Sequence, residues 1–169
     1  AGDAISIWPS SIGAHNWQPM TYNPQTGLVY IPYMQAGLRF TKGPPSPGEF
    51  SIAGVNIGWA KDDPDDLTAS LLAWDPVRQK AAWKVRMDSF WNGGTLSTAG
   101  NLVFQGSGSG LFSAYDAVNG TRLWQFNAHL GILGAPISFS AAGRQYVTVL
   151  VGYGGAASVG SNAMNQGWK

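Results

Sequence analysis

The sequence has no cysteine, little charge, two histidines and no long apolar run, and each scarcity removes a class of function. Without cysteine, these 169 residues hold no disulfide, no thiolate metal site, no covalent c-type haem attachment and no cysteine nucleophile. Charged residues make up 11% of the chain, against about 25% in ordinary domains, and the net charge is +1. The ten basic residues are scattered rather than clustered, so nothing marks a nucleic-acid surface. No segment reaches the ~20 apolar residues of a membrane span. No charged stretch followed by an apolar one opens the chain, so any export signal is expected outside it. His15 and His129 stand far apart, and neither has a second His, Asp or Glu at metal-ligand spacing. Asp62, Asp63, Asp65 and Asp66 lack the order and closing Glu of a calcium loop and read as a solvated loop face.

What is abundant is turn and aromatic chemistry: 23 Gly, 10 Pro and 8 Trp, with 44% hydrophobic residues. Helical periodicity is nearly absent, and the composition favours compact sheet. An eleven-residue pattern occurs twice, from Ala73 to Trp83 and from Ala114 to Trp124, and Asp75 to Asp116 and Trp83 to Trp124 are both 41 residues apart. A period of that size belongs to repeated sheet blades. Alternating runs precede each copy, Thr68–Trp74 and Gly110–Tyr115, and read as strands. Asp75 and Asp116 then open turns in which a carboxylate bonds backbone N–H groups two or three residues on. Each unit is strand, tight turn, strand, ending in a Trp that can bury ~150–250 Å². A blade cannot bury its faces alone, so a chain with few repeats needs neighbours.

Three further stretches are alike: Gln18–Ile31, Gly93–Phe104 and Ala135–Val147, each a strand, a Gly-bearing hairpin turn and a hydrophobic strand. These readings give about three four-stranded antiparallel blades, at approximately 12–85, 86–127 and an incomplete 128–169. The first carries an insertion at 35–66. Its Lys42–Gly48 and Asp62–Asp66 stretches are rich in Pro and Asp, and the insertion is expected to be a long surface loop. Gly106–Gly110 looks like a phosphate loop but has no following helix and no closing Lys-Ser/Thr, so it reads as a hairpin turn. Asn119-Gly120-Thr121 fits a glycosylation pattern, and Asn-Gly reads here as a turn.

The repeat Ala-x-Asp-x-x-x-Gly-Lys/Thr-x-x-Trp resembles the tryptophan-docking motif of the pyrroloquinoline quinone (PQQ)-dependent alcohol dehydrogenases. The first copy departs from it in placing Gln79 where the motif has Gly. Gly13–Met20, Asn23–Tyr30, Trp91–Thr95, Gly143–Val147 and Val151–Ala156 also resemble the late blades of the soluble members. The resemblance covers nearly the whole chain and implies an all-β fold, part of an eight-bladed β-propeller. It further implies a fragment of a longer periplasmic bacterial enzyme that oxidises an alcohol by hydride transfer to the quinone.

That resemblance also implies PQQ and Ca²⁺ as cofactors, and it admits a c-type haem in the full-length protein. Its partners would be the remainder of the propeller, a small alcohol, and a cytochrome or haem domain as electron acceptor. The calcium ligands and the catalytic Asp lie upstream in family members, so no catalytic or metal residue maps here. The cofactor contacts that do map are Asn16 and Trp17, then Trp91 and Ala156. The isolated segment is expected to be inactive and, with uncovered blade flanks, to self-associate. The alternative reading is a non-catalytic propeller-repeat scaffold or binding module. A sugar-binding propeller is more distant, suggested only by the abundant aromatics.

Overall fold

The computed structural model describes residues 4–154, and all regular structure among them is β. In chain order the strands are β1 (Ile5–Ile7), β2 (Thr21–Asn23), β3 (Leu28–Gln35), β4 (Leu38–Lys42), β5 (Phe50–Ile52), β6 (Val55–Trp59) and β7 (Thr68–Asp75). There follow β8 (Lys80–Arg86), β9 (Asn92–Ser97), β10 (Leu102–Ser107), β11 (Leu111–Asp116), β12 (Arg122–Asn127), β13 (Ile137–Ala141) and β14 (Arg144–Thr148). The chain divides into two compact units: Ala1–Asn16 with Met34–Thr68, and Trp17–Tyr33 with Ala69–Lys169.

The larger unit holds the blades. One is the sheet β2-β3-β7-β8, the next is the meander β9 to β12, and β13 and β14 form a hairpin. The alternation in β3 is strict, with Leu28, Tyr30, Pro32 and Met34 buried and their neighbours half-buried, as expected of a strand with one face inward. A core of Leu28, Tyr30, Leu71 and Ala73 from the first blade meets Val103, Tyr115 and Ala117 from the second, and Trp83, Val85 and Met87 pack against it. Burial raises the pKa of the Tyr30 and Tyr115 phenols above their ordinary value, the desolvated neutral form being favoured.

The two copies of the repeat form the same hairpin. Asp75 Oδ1 accepts the N–H groups of Val77 and Arg78 at 3.0 and 2.9 Å, and Asp116 Oδ1 accepts those of Val118 and Asn119 at 2.8 and 3.1 Å. Both pairings slip register at the equivalent place, Ala73/Trp74 and Ala114/Tyr115. Trp83 then reaches from the first blade to the second, its indole N–H donating to the Ala117 carbonyl at 3.1 Å. The Tyr30 hydroxyl donates to the same oxygen at 2.9 Å, and the two rings lie 5.7 Å apart. The Trp83 ring covers Gly120 so closely that a Cβ there would stand 2.7 Å from its Cε3. Gly120 also has φ +76°, so the position is glycine for two reasons.

The smaller unit corrects the expected loop at 35–66. Residues 43–48 and Asp62–Asp66 are turns and bends, but the segments between and beside them form a second kind of sheet, ordered β1-β4-β6-β5. The β5–β6 hairpin closes over Ala53 and Gly54, both with positive φ (50° and 78°), the signature of a tight type I′ connection. Its register is regular. Ile5, Phe40, Ile57 and Phe50 lie opposite one another across all four strands. Ile7, Leu38 and Trp59 make the next row on the same face, and Ile52, Val55 and Lys42 the third. The other face carries Ser6, Arg39 and Gly58, then Thr41, Asn56 and Ser51.

The acidic run is a solvated loop face, as expected, and from that face it also ties this unit together. Asp62 accepts Arg39 Nη1 at 3.0 Å and the Ser6 hydroxyl, and Asp66 accepts the Trp8 indole N–H at 2.7 Å. Asp63 and Asp66 cap backbone N–H groups of the same turn, those of Asp65 and Asp63 respectively.

Candidate functional site

Trp17 and Trp91, far apart in sequence, stack with ring centroids 5.2 Å apart and planes inclined by 27°. Each is fixed from behind. Trp17 leads into Pro19, whose carbonyl accepts the Thr95 N–H at 2.8 Å, while a Cβ at Gly94 would come within 2.7 Å of the Pro19 ring. Only a glycine strand lets the Trp17 segment lie this close to β9. The Trp91 carbonyl accepts the Ser89 hydroxyl at 2.8 Å and the Gly108 N–H at 2.9 Å. Asn92 closes the turn with Ser89 in both directions, and Phe90 sets its edge against the Trp91 ring at 5.3 Å.

Trp17 lines a cavity of about 530 Å³ together with Leu133, Gly134, Leu150, Val151, Gly152, Tyr153 and Gly154. Trp91 is not part of that lining and acts through its stack on Trp17. The remaining wall is built by tying the chain after β14 to the chain after β12. Ile132 and Gly152 form a parallel bridge, and the Gly152 N–H donates to the Gly131 carbonyl at 2.8 Å. The Tyr153 hydroxyl donates to the Gly108 carbonyl at 3.1 Å, with its ring over Gly131. Ile132, fully buried, anchors the wall by packing on Gly106.

The cavity is of ligand size, since small-molecule sites run from ~300 to ~1,000 Å³. Its walls are aromatic, aliphatic and glycine, with no Lys, Arg, Asp or Glu among the lining residues. It can therefore take the face of a flat ring system against Trp17, but it is open to solvent and offers no carboxylate base. Among the described residues no group of three or more His, Cys, Asp or Glu could hold a metal ion.

Of the residues named from the sequence, Trp17 and Trp91 are brought together. Asn16 belongs to the smaller unit, is exposed, and donates its side-chain N–H to the Ile12 carbonyl at 2.8 Å. Ala156 lies outside the described residues. Gly106–Gly110 is a turn, with the Gly110 N–H on the Ser107 carbonyl at 3.1 Å. Sequence reasoning missed Leu133, Gly134 and Leu150. The only signal for them was the grouping of Gly131 and Gly134 opposite Gly152 and Gly154, which the bridge now explains.

An apolar, glycine-walled cavity beside a Trp stack on β-sheet blades narrows the class, and comparison with known proteins names it. Residues 68–147 match the family model described as PQQ: glucose/ethanol/alcohol dehydrogenase, beta-propeller domain. The chain is 51% identical over 177 aligned residues to quinohemoprotein alcohol dehydrogenase ADH IIB of Pseudomonas putida, covering 96% of this chain and 24% of that protein. The crystal structure of quinohemoprotein alcohol dehydrogenase from Comamonas testosteroni superposes with a TM-score of 0.76 at 41% identity, over 93% of this chain and 25% of that one. A europium-containing methanol dehydrogenase gives 0.77 at 30% identity, over 94% and 28%. The chain belongs to the PQQ-dependent alcohol dehydrogenase family, as a segment of its β-propeller. It spans about a quarter of the length of the curated relatives it matches.

Proposed function

We propose that this segment forms one wall of the quinone pocket in a longer dehydrogenase that oxidises alcohols to aldehydes. The observation that carries the reading is the Trp17–Trp91 stack on the edge of an apolar, glycine-walled cavity in a chain of this family. Bound PQQ supplies the electrophilic carbonyl that takes hydride from the alcohol carbon. The chain's own residues bind and orient. Trp17 offers its ring face, Trp91 keeps that face from turning, and Gly134, Gly152 and Gly154 permit close approach of backbone to a flat ligand. On the resemblance of its sequence to the family, Asn16, which does not line this cavity, is assigned an amide contact to the quinone edge. The base and Ca²⁺ come from the rest of the protein, as does any c-type haem. A cytochrome or haem domain receives the electrons, and the enzyme works in the periplasm.

The test is made on the full-length protein stripped of cofactor and reconstituted with PQQ and Ca²⁺, with dye-linked alcohol oxidation and quinone fluorescence as readouts. Trp17→Ala is expected to raise the half-saturating PQQ concentration about tenfold or more, equivalent to ~1.4 kcal/mol, with a smaller shift for Trp91→Ala. Full-length protein that neither binds PQQ nor oxidises alcohols would overturn the reading and favour a non-catalytic scaffold.

A further inference from the structure

The sheet β1-β4-β6-β5 is built inside out. A sheet with one apolar face turns that face to a core and leaves the polar one wet, but here the unit's own loops lie over part of the polar face, leaving Arg39 and Ser51 in solvent. Asp62 reaches Arg39 and Ser6, Glu49 lies over Gly58, and Asn56 is buried with its amide on the Gly43 carbonyl at 2.9 Å. On the apolar face Phe50 is 65% exposed, Ile5 61%, Ile52 55% and Ile7 51%. Lys42, at one corner, is the sole charge in its three rows.

We infer that this face is a buried internal interface of the longer protein, covered by the part of that polypeptide lying outside this segment. The inference rests on the chain being a quarter of its relatives' length, and not on what the longer protein catalyses. Size decides between occupants. Two strands of five residues and two of three, at ~4.8 Å spacing and ~3.3 Å rise, give a sheet footprint of about 250 Å². A stable complex of separate molecules needs about 800 Å² per partner, so a second copy docked here alone would fall short. A covalently linked occupant loses little translational and rotational freedom on docking, and a small face then suffices. The near absence of charge matches a domain interior rather than the polar-rimmed surface of a transient partner site.

The native sequence of this segment lacks cysteine, so single thiols report on the face directly. Phe50→Cys and Ile52→Cys are placed in the full-length protein. Maleimide labelling of the peptide carrying each is followed by mass spectrometry, relative to the same protein unfolded in urea. In the full-length protein both thiols are expected to label at least about 100-fold slower than when unfolded, independent of protein concentration, as for a site reached only by opening. Rapid labelling in the full-length protein would overturn the inference by showing the face bare. Slow labelling that becomes rapid on dilution would overturn it in favour of a second copy. Hydroxyl-radical oxidation of Trp59 in unaltered full-length protein gives the same answer without a substitution, suppressed oxidation being the expected result. Neither readout requires bound quinone or turnover.

Discussion

The two copies of the tryptophan repeat share a turn, a register slip and an Asp that caps it, yet their tryptophans meet different fates. Trp83 is half-buried, hydrogen-bonded to Ala117 and laid over Gly120. Trp124 is 50% exposed, and among the described residues its ring neighbours belong to its own sheet, Phe112 at 6.1 Å and Phe126 at 6.4 Å. The hairpin is thus written in eleven local residues, whereas docking is written in the receiver. A carbonyl and a glycine on the following blade decide whether a Trp becomes structural.

The widest separation between the copies should come from deleting the rings. In the 169-residue chain Trp83→Ala is expected to cost about 3 kcal/mol, the lower end for a large aromatic because the ring is only half-buried. Trp124→Ala is expected to cost ~1 kcal/mol or less. Urea midpoints at unchanged m-value check both, and equal costs would break the contrast. In the full-length protein, where a further blade can receive Trp124, the two costs should converge.

A smaller effect tests the receiver. Gly120→Ala sets a methyl against the Trp83 ring and forces a left-handed backbone on alanine, together about 2 kcal/mol. In a Trp83→Ala background only the backbone part remains, about 1 kcal/mol, so a double-mutant cycle should show strong coupling. Additive costs would mean that the close approach carries no energy. Smallest is the change at the equivalent site of the first copy, Gln79, which has φ +53° and is exposed. Gln79→Gly relieves that backbone and is expected to stabilise by about 0.5 kcal/mol, net of the greater freedom of glycine in the unfolded chain. Destabilisation there would show that Gln79 makes a contact of its own.

The blades were legible because their signals are local. Asp75 and Asp116 announce turns through side-chain chemistry, and the stretches 18–31, 93–104 and 135–147 became the hairpins β2–β3, β9–β10 and β13–β14. The sheet in the insertion was hidden by its punctuation. Pro44, Pro45, Pro47 and the Asp-rich turn drew attention, while the three-residue strand β5 and the short β6 alternate too briefly to stand out. At the site, the meeting of Trp17 and Trp91 followed from a family resemblance, not from spacing. Leu133 and Leu150 could not be picked out, because an apolar residue lining a cavity looks in sequence like any other. Only the bridge between Ile132 and Gly152 makes them neighbours.

Trp83 docks forward, onto residues that follow it in the chain, and this gives the fold a direction in time. As the chain emerges N-terminus first, the first blade is complete before Ala117 and Gly120 follow to receive its indole. During that interval the nascent chain shows an uncovered aromatic face, which the next hairpin then closes while presenting Trp124 in its turn. Within this segment such a relay makes the second blade the chaperone of the first.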